Sequence, residues 1–135
     1  MLQLKRFQYN YFTDSNEKIL TECKYPEQMD FSKWTSDPQI PNPYLLYAVL
    51  VHEGSFANSG HYYVYIKTPQ GWLKFNDERV EKVTRERALH HNYGGQSQIV
   101  EYDPKEMKVT FKSVQNKATA YMLVYANKHI YSSLF

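Results

Sequence analysis

A histidine and an adjacent Asn-Asp pair lie at the two ends of one predicted β-hairpin. The segment from Gly60 to Asp77 has the pattern of two short strands joined by a Pro-Gln-Gly turn. His61 begins the first strand and Asn76 ends the second, so antiparallel pairing brings these ends side by side. An imidazole next to an amide or carboxylate oxygen is the base and orienting partner of a catalytic triad. Because neighbouring strand residues point to opposite faces, we expect only one of Asn76 and Asp77 to orient His61 directly.

The hairpin contains no nucleophile for such a triad. Cys23 is the only cysteine, and a reactive thiol needs a helix N-terminus or a nearby cation to lower its pKa. It falls within a predicted strand, Lys18–Tyr25, so we interpret it as a half-buried packing residue. A metal site of His52, His61 and Asp77 is an alternative, but the sequence has no cysteine pair and no His-x-x-x-His pattern. We therefore expect no metal and no cofactor.

The elements that must position these residues are mostly strands. Tyr44–His52 is almost entirely apolar or β-branched and is predicted to be a central strand. Thr84 is a candidate N-cap for a short helix that runs through His91. The segment Asp30–Trp34 is predicted to form a helical turn. The other predicted strands, beside the hairpin and Lys18–Tyr25, are Leu2–Phe7, Met107–Phe111 and Ala118–Ala126. Six or seven strands with one or two short helices predict an α+β domain with a mostly antiparallel sheet.

Composition limits the partners of the chain. The 135 residues carry a formal net charge of +2 with no cluster of Lys or Arg, which argues against a nucleic-acid groove. The longest apolar run, Tyr44–Val51, is far too short to span a bilayer, so no membrane partner is expected. A single cysteine and the absence of a signal-peptide pattern lead us to expect an intracellular protein of the cytoplasm, the nucleus or both.

Several motifs along the chain resemble those of the ubiquitin-specific proteases, papain-like cysteine peptidases that remove ubiquitin. The motifs are Leu2–Phe7, Gly60–Tyr62, Trp72–Asp77 and Ala120–Tyr125. Two further segments, Tyr25–Gln28 and His91–Gly95, resemble the herpesvirus-associated branch of that family. The resemblance covers nearly the whole chain, and the motifs occur in the order found in the family.

The resemblance implies a role for individual residues. His61 would be the general base, Asn76 the third member of the triad, and Asp77 a supporting residue. The loop Glu53–Ser59 would be the flexible loop beside the active site. The channel for the C-terminal tail of ubiquitin would be bordered by five residues: Arg6, Phe7, Gly60, Tyr62 and Tyr121.

The resemblance also implies that residues 1–135 are an incomplete papain-like domain. They would be the C-terminal portion, the palm with the His box, of a catalytic domain whose thumb, Cys box and most of the fingers are absent from this sequence. The expected function is deubiquitination, with ubiquitin, ubiquitinated proteins and the N-terminal half of the domain as partners. Without the nucleophilic cysteine, the chain alone should be inactive. The alternative is a non-catalytic module that binds ubiquitin or another protein.

Overall fold

The longest strand of the chain lies in the interior of a seven-stranded antiparallel sheet. The computed structural model describes residues 1–134. The strands are β1 (Leu2–Gln3), β2 (Phe7–Asn10), β3 (Ser15–Lys18), β4 (Gln28–Asp30), β5 (Pro43–Glu53), β6 (His61–Thr68), β7 (Gly71–Asn76), β8 (Arg79–Val83), β9 (Gln96–Asp103), β10 (Lys108–Gln115) and β11 (Ala118–Asn127). The helices are α1 (Arg85–Leu89) and α2 (Lys128–Leu134), with short 3₁₀ helices at Ser32–Trp34 and His90–Asn92. The predicted α+β class with a mostly antiparallel sheet is confirmed.

The main sheet has the strand order β1-β11-β5-β6-β7-β8, and β4 also pairs with β5. Both faces of β5 carry buried side chains, as its apolar sequence predicts. On one face, Val49 and Val51 pack with Tyr63, Tyr65 and other buried residues in the hydrophobic core. On the opposite face, four apolar side chains of β5, β6 and β11 are only half-buried: Leu50, Val64, Ile66 and Met122. No helix within residues 1–134 is long and apolar enough to cross a membrane.

The predicted hairpin is present as β6 and β7, with the chain turning at Pro69 and Gln70. The helix that follows is also present, although it is divided into α1 and a 3₁₀ turn. The Thr84 hydroxyl accepts a hydrogen bond from the Arg87 amide at 3.2 Å, which is the predicted N-cap. These elements place α1 beside β7.

Two strand predictions near the start of the chain were wrong. Leu2–Phe7 is not one strand, because β1 pairs with β11 whereas β2 pairs with β3. The predicted strand Lys18–Tyr25 is irregular beyond Lys18. Its carbonyl groups accept hydrogen bonds outside any strand pairing. The Arg6 side chain donates to Thr21, and both the Gln115 side chain and the Gly95 amide donate to Leu20.

The strand predicted at Met107–Phe111 belongs to a second hairpin, β9–β10, of which β9 was not predicted. Nearly all of its residues are exposed. The register pairs Val109 with Tyr102 and Phe111 with Val100, so four apolar side chains share one face of this hairpin. The helix α2 was also not predicted.

Candidate active site

His61 and Asn76 contact each other at the open end of the β6–β7 hairpin. Val64 pairs with Phe75, and continuing this register sets Asn76 opposite Tyr63. Opposite residues share a face and side chains alternate along a strand, so His61 and Asn76 are diagonal neighbours on one face. The His61 Nε2 atom is hydrogen-bonded to Asn76 Oδ1. The register alone therefore brings together two residues fifteen positions apart.

This contact assigns the protons of the imidazole. An amide oxygen can only accept a hydrogen bond, so Nε2 of His61 is the nitrogen that carries hydrogen. In the neutral ring, Nδ1 then holds the lone pair and can accept a proton from another group. The side chain of His61 is 46% exposed, which leaves the ring accessible. The arrangement can act as an oriented general base.

Asp77 lies farther from the imidazole than Asn76 does. Its Oδ2 atom is 3.6 Å from His61 Nε2, and its side chain is 77% exposed. That separation is too long for a good hydrogen bond, and the exposure screens the charge. Asp77 has a φ of 52°, which places it in the tight turn between β7 and β8. Of the two residues that the sequence left open as partners, Asn76 makes the direct contact.

Gly60 is required by its neighbours in the sheet. Its φ is +122°, and a Cβ atom there would overlap the Glu53 carbonyl oxygen and lie 2.7 Å from His52 Nε2. The sequence suggested that this glycine leaves room for a substrate beside the His61 ring. In the structure, the space next to its Cα is already filled by the ring of His52 and by backbone.

Three of the expected tail-channel residues lie together on the other face of β6. Tyr62 is 51% exposed, and its ring packs edge-on against Tyr121 at 5.4 Å. The buried His52 ring lies between Tyr62, at 4.7 Å, and Phe7, at 5.3 Å. A cleft of about 280 Å³ opens here, lined by Phe7, Asn16, Ala57, Asn58 and Tyr62. The expected flexible loop thus borders a cleft with aromatic walls.

Arg6 is the expected channel residue whose side chain is not available to a ligand. It is 4% exposed, and its guanidinium donates to the Thr21 carbonyl at 2.6 Å. Burial lowers the pKa of Arg6, an effect that the electrostatic interaction with the nearby Cys23 opposes. The guanidinium therefore fixes the irregular segment after β3, and any role at the channel is an indirect one.

Cys23 and His61 are not brought together in the structure. Cys23 is half-buried, as predicted, and its contacts are with Arg6 and with the backbone of Tyr93, whose carbonyl accepts from the Cys23 amide at 2.8 Å. It makes no contact with His61 in the part of the chain that the structure describes. Nor do three potential ligands among His, Cys, Asp and Glu cluster anywhere in residues 1–134 in a way that could hold a metal ion.

One buried residue near the cleft, Lys18, was not predicted from the sequence. Its side chain is 9% exposed and donates to three backbone carbonyl groups, in β5, in the loop after it and before β11. A lysine at the end of a short polar strand normally indicates an exposed position. Only contacts over 34 or more positions in sequence reveal that it is buried.

Comparison with known proteins agrees with the motifs of this site. The sequence model of the ubiquitin carboxyl-terminal hydrolase family matches residues 1–125. Ubiquitin C-terminal hydrolase 13 of Arabidopsis thaliana is 38% identical over 133 residues, which cover 92% of this chain and 12% of that protein. Ubiquitin carboxyl-terminal hydrolase 5 of Schizosaccharomyces pombe is 37% identical over 132 residues, covering 94% of this chain and 11% of that protein.

A solved structure shares the fold. In a SAGA DUB module of Ubp8, Sgf11, Sus1 and Sgf73 bound to monoubiquitin, one chain superimposes with a TM-score of 0.64 at 26% identity. The match covers 94% of this chain and 22% of that one, so residues 1–135 correspond to about a fifth of that structure and about a tenth of the relatives. Together with the match over residues 1–125, these similarities show that the chain belongs to the ubiquitin carboxyl-terminal hydrolase family.

Proposed function

We propose that this chain supplies the general base and its orienting amide to a deubiquitinase. The observation that carries the proposal is the hydrogen bond between His61 Nε2 and Asn76 Oδ1, which leaves Nδ1 to accept a proton. Membership of the ubiquitin carboxyl-terminal hydrolase family supports the substrate class. We further propose that the chain is the palm portion of the catalytic domain, that it belongs to the herpesvirus-associated branch, and that it acts inside the cell.

In the proposed reaction, His61 Nδ1 takes the proton from a cysteine thiol outside this chain. The thiolate attacks the carbonyl carbon at the C-terminal glycine of ubiquitin, and collapse of the tetrahedral intermediate forms a thioester. The imidazolium returns its proton to the departing amine. Water, deprotonated by the same imidazole, then hydrolyses the thioester and regenerates the thiol. Asn76 holds the ring and its tautomer throughout, and Asp77 adds a screened negative charge 3.6 Å away.

The cleft on the other face of β6 suits the substrate's tail. Phe7 and Tyr62 give it aromatic walls, and Tyr121 packs on Tyr62. Two consecutive glycines without side chains would fit between such rings where larger residues would not. We propose that the ubiquitin tail passes along these aromatic residues and that Gly60 holds the backbone at their border.

A second candidate function is a binding module without chemistry. The observation that favours it is the position of Cys23, the only cysteine in the sequence, which contacts Arg6 instead of His61. In that case the aromatic cleft would bind ubiquitin and the His61–Asn76 pair would have no thiol to activate.

Hydrolysis of a fluorogenic ubiquitin C-terminal amide by the full-length product of the gene separates the two functions. His61→Ala should lower kcat by about 10²- to 10⁴-fold, which is the usual contribution of a general base. The affinity for ubiquitin should change little. His91→Ala, at an exposed histidine elsewhere, is the matched control and should retain activity. Activity that survives His61→Ala would overturn the catalytic proposal. A wild-type protein that binds ubiquitin without hydrolysing the amide would establish the binding module instead.

A further inference from the structure

The loop between β5 and β6, residues 54–60, has a narrow neck beside the candidate base. Its two ends meet because Glu53 pairs with His61 across the sheet. Its tip carries Phe56, which is 66% exposed, and the next two residues line the aromatic cleft. The last residue of the loop, Gly60, is bonded directly to His61. Any movement of the neck therefore moves both the base and the wall of the cleft.

Lys18 holds the first end of this neck. Its Nζ atom donates to the carbonyl oxygens of His52 at 2.9 Å, Gly54 at 2.8 Å and Lys117 at 2.6 Å. An ammonium group has three N–H donors, so each donor of this buried cation has an acceptor. Burying a charge without such partners is strongly unfavourable. The Gly54 amide also donates to the Lys117 carbonyl at 3.2 Å, which closes the same end of the loop.

His52 holds the other end of the neck. Its ring is fully buried, and Nε2 lies 3.0 Å from the Ser59 carbonyl oxygen. A carbonyl only accepts, so Nε2 carries the hydrogen, and the buried Nδ1 has no hydrogen-bond partner within residues 1–134. Burial and the adjacent Lys18 charge lower the pKa of His52, which favours the neutral form of the ring. The ring also fills the space that a side chain at position 60 would need.

We propose that Lys18 and His52 are positioning residues that clamp both ends of this loop and thereby set the direction of His61 and the width of the cleft. Lys18 fixes the entrance at Gly54, and His52 fixes the exit at Ser59. The role of the two residues in positioning the base rests on the proposed function. The clamp itself is a property of the fold that can be measured without any activity.

Amide hydrogen exchange on the 135-residue chain tests the clamp. Lys18→Met keeps most of the aliphatic stem and removes the ammonium, and it should accelerate exchange at the Gly54 amide roughly 10- to 100-fold, as expected when charged hydrogen bonds that close a local segment are lost. Exchange at core amides such as those of Val49 and Leu123 should change much less. A matched control is Lys74→Met, which removes another buried ammonium that lies over the Tyr63 ring and not on carbonyl oxygens.

A second pair of variants keeps the test informative if Lys18→Met does not fold. His52→Phe retains an aromatic ring and removes the donor to Ser59, whereas His52→Gln restores a donor. His52→Phe should accelerate exchange at the Gly54 amide, whose hydrogen bond to Lys117 closes the neck, and shift the imidazole nitrogen resonances of His61. His52→Gln should recover part of both effects.

Equal acceleration of neck and core amides would overturn the clamp and indicate ordinary loss of stability. An unchanged His61 spectrum in both neck variants would overturn the link to the base. In the full-length protein, the neck variants should lower kcat more than a purely structural change of equal stability, such as Leu123→Ala. If that protein has no hydrolase activity, the proposed function fails while the exchange data still decide whether the clamp exists.

Discussion

Replacing Gly60 by alanine tests whether the neck of the loop leaves any room beside the sheet. A φ of +122° at a residue with a side chain costs about 1–3 kcal/mol. The new Cβ atom would also lie 2.7 Å from His52 Nε2 and overlap the Glu53 carbonyl oxygen. The buried ring must then move and lose its hydrogen bond to Ser59, which adds about 1–2 kcal/mol. We expect Gly60→Ala to lower the free energy of unfolding by about 2–5 kcal/mol.

The matched control is Gly71→Ala, because Gly71 has a similar φ of +114° but open space around it. A Cβ atom there would meet only Lys82 Cε, at 3.6 Å. This variant should therefore show the backbone cost alone, about 1–2 kcal/mol after the smaller entropy of the unfolded alanine chain is included. Urea unfolding followed by far-UV circular dichroism and by fluorescence of the buried Trp72 measures both variants. If Gly60→Ala costs no more than Gly71→Ala, the contact between Gly60 and His52 does not constrain the neck.

Four further changes test the rest of the fold. Thr84→Ala removes the cap on the Arg87 amide and should lower the free energy of unfolding by about 1 kcal/mol in urea titrations; no change would mean that the cap is not used. Leu123→Ala truncates a side chain that is 1% exposed and should cost about 2–5 kcal/mol in the same assay. Phe111→Lys, on the exposed β9–β10 hairpin, should alter the unfolding free energy by less than about 0.5 kcal/mol while raising solubility, and a large loss would mean that this face is packed. Burial and the charge of Arg6 lower the pKa of Lys18 from 10.5 to about 8, and the charge of Glu53 opposes this shift. Between these two pH values the unfolded chain therefore binds more protons at Lys18 than the folded chain does. The unfolding free energy of the wild type should therefore rise relative to that of Lys18→Met as pH increases from 7 to 10, and a fall would contradict this sign.

The parts of the fold that were predicted correctly have a strong local signal. The strand β5 is a continuous apolar run, and the hairpin β6–β7 is defined by alternation on both sides of a Pro-Gln-Gly turn. The diagonal contact between His61 and Asn76 follows from that hairpin, because turn position and side-chain alternation together determine which residues share a face. This portion of the candidate site could therefore be predicted from eighteen consecutive residues.

The parts that were missed depend on contacts distant in sequence. The strand β9 has no buried face, so its mixed sequence carries no alternating pattern and its form comes from pairing with β10. The segment after Lys18 looked like a strand because it contains Ile19 and Leu20. Its carbonyl groups are bonded instead by the side chains of Arg6 and Gln115 and by the Gly95 amide, all distant in sequence. Burial of Lys18 depends on carbonyl groups up to 99 positions away, which no local pattern encodes.

The order of the last residues of β7 makes the identity of the base's partner depend on strand register. Asn76, the last residue of β7, lies opposite Tyr63 and so shares a face with His61, whereas Asp77 lies in the turn that follows, with its carboxylate 3.6 Å from the imidazole. A slip of one residue along β6 would turn Asn76 away and present Asp77 to the imidazole. A full negative charge at that distance raises the pKa of a histidine more than a neutral amide does. The hairpin therefore encodes both a neutral and a charged version of the same dyad, and an insertion or deletion of one residue near Pro69 would exchange them without any change in the side chains themselves.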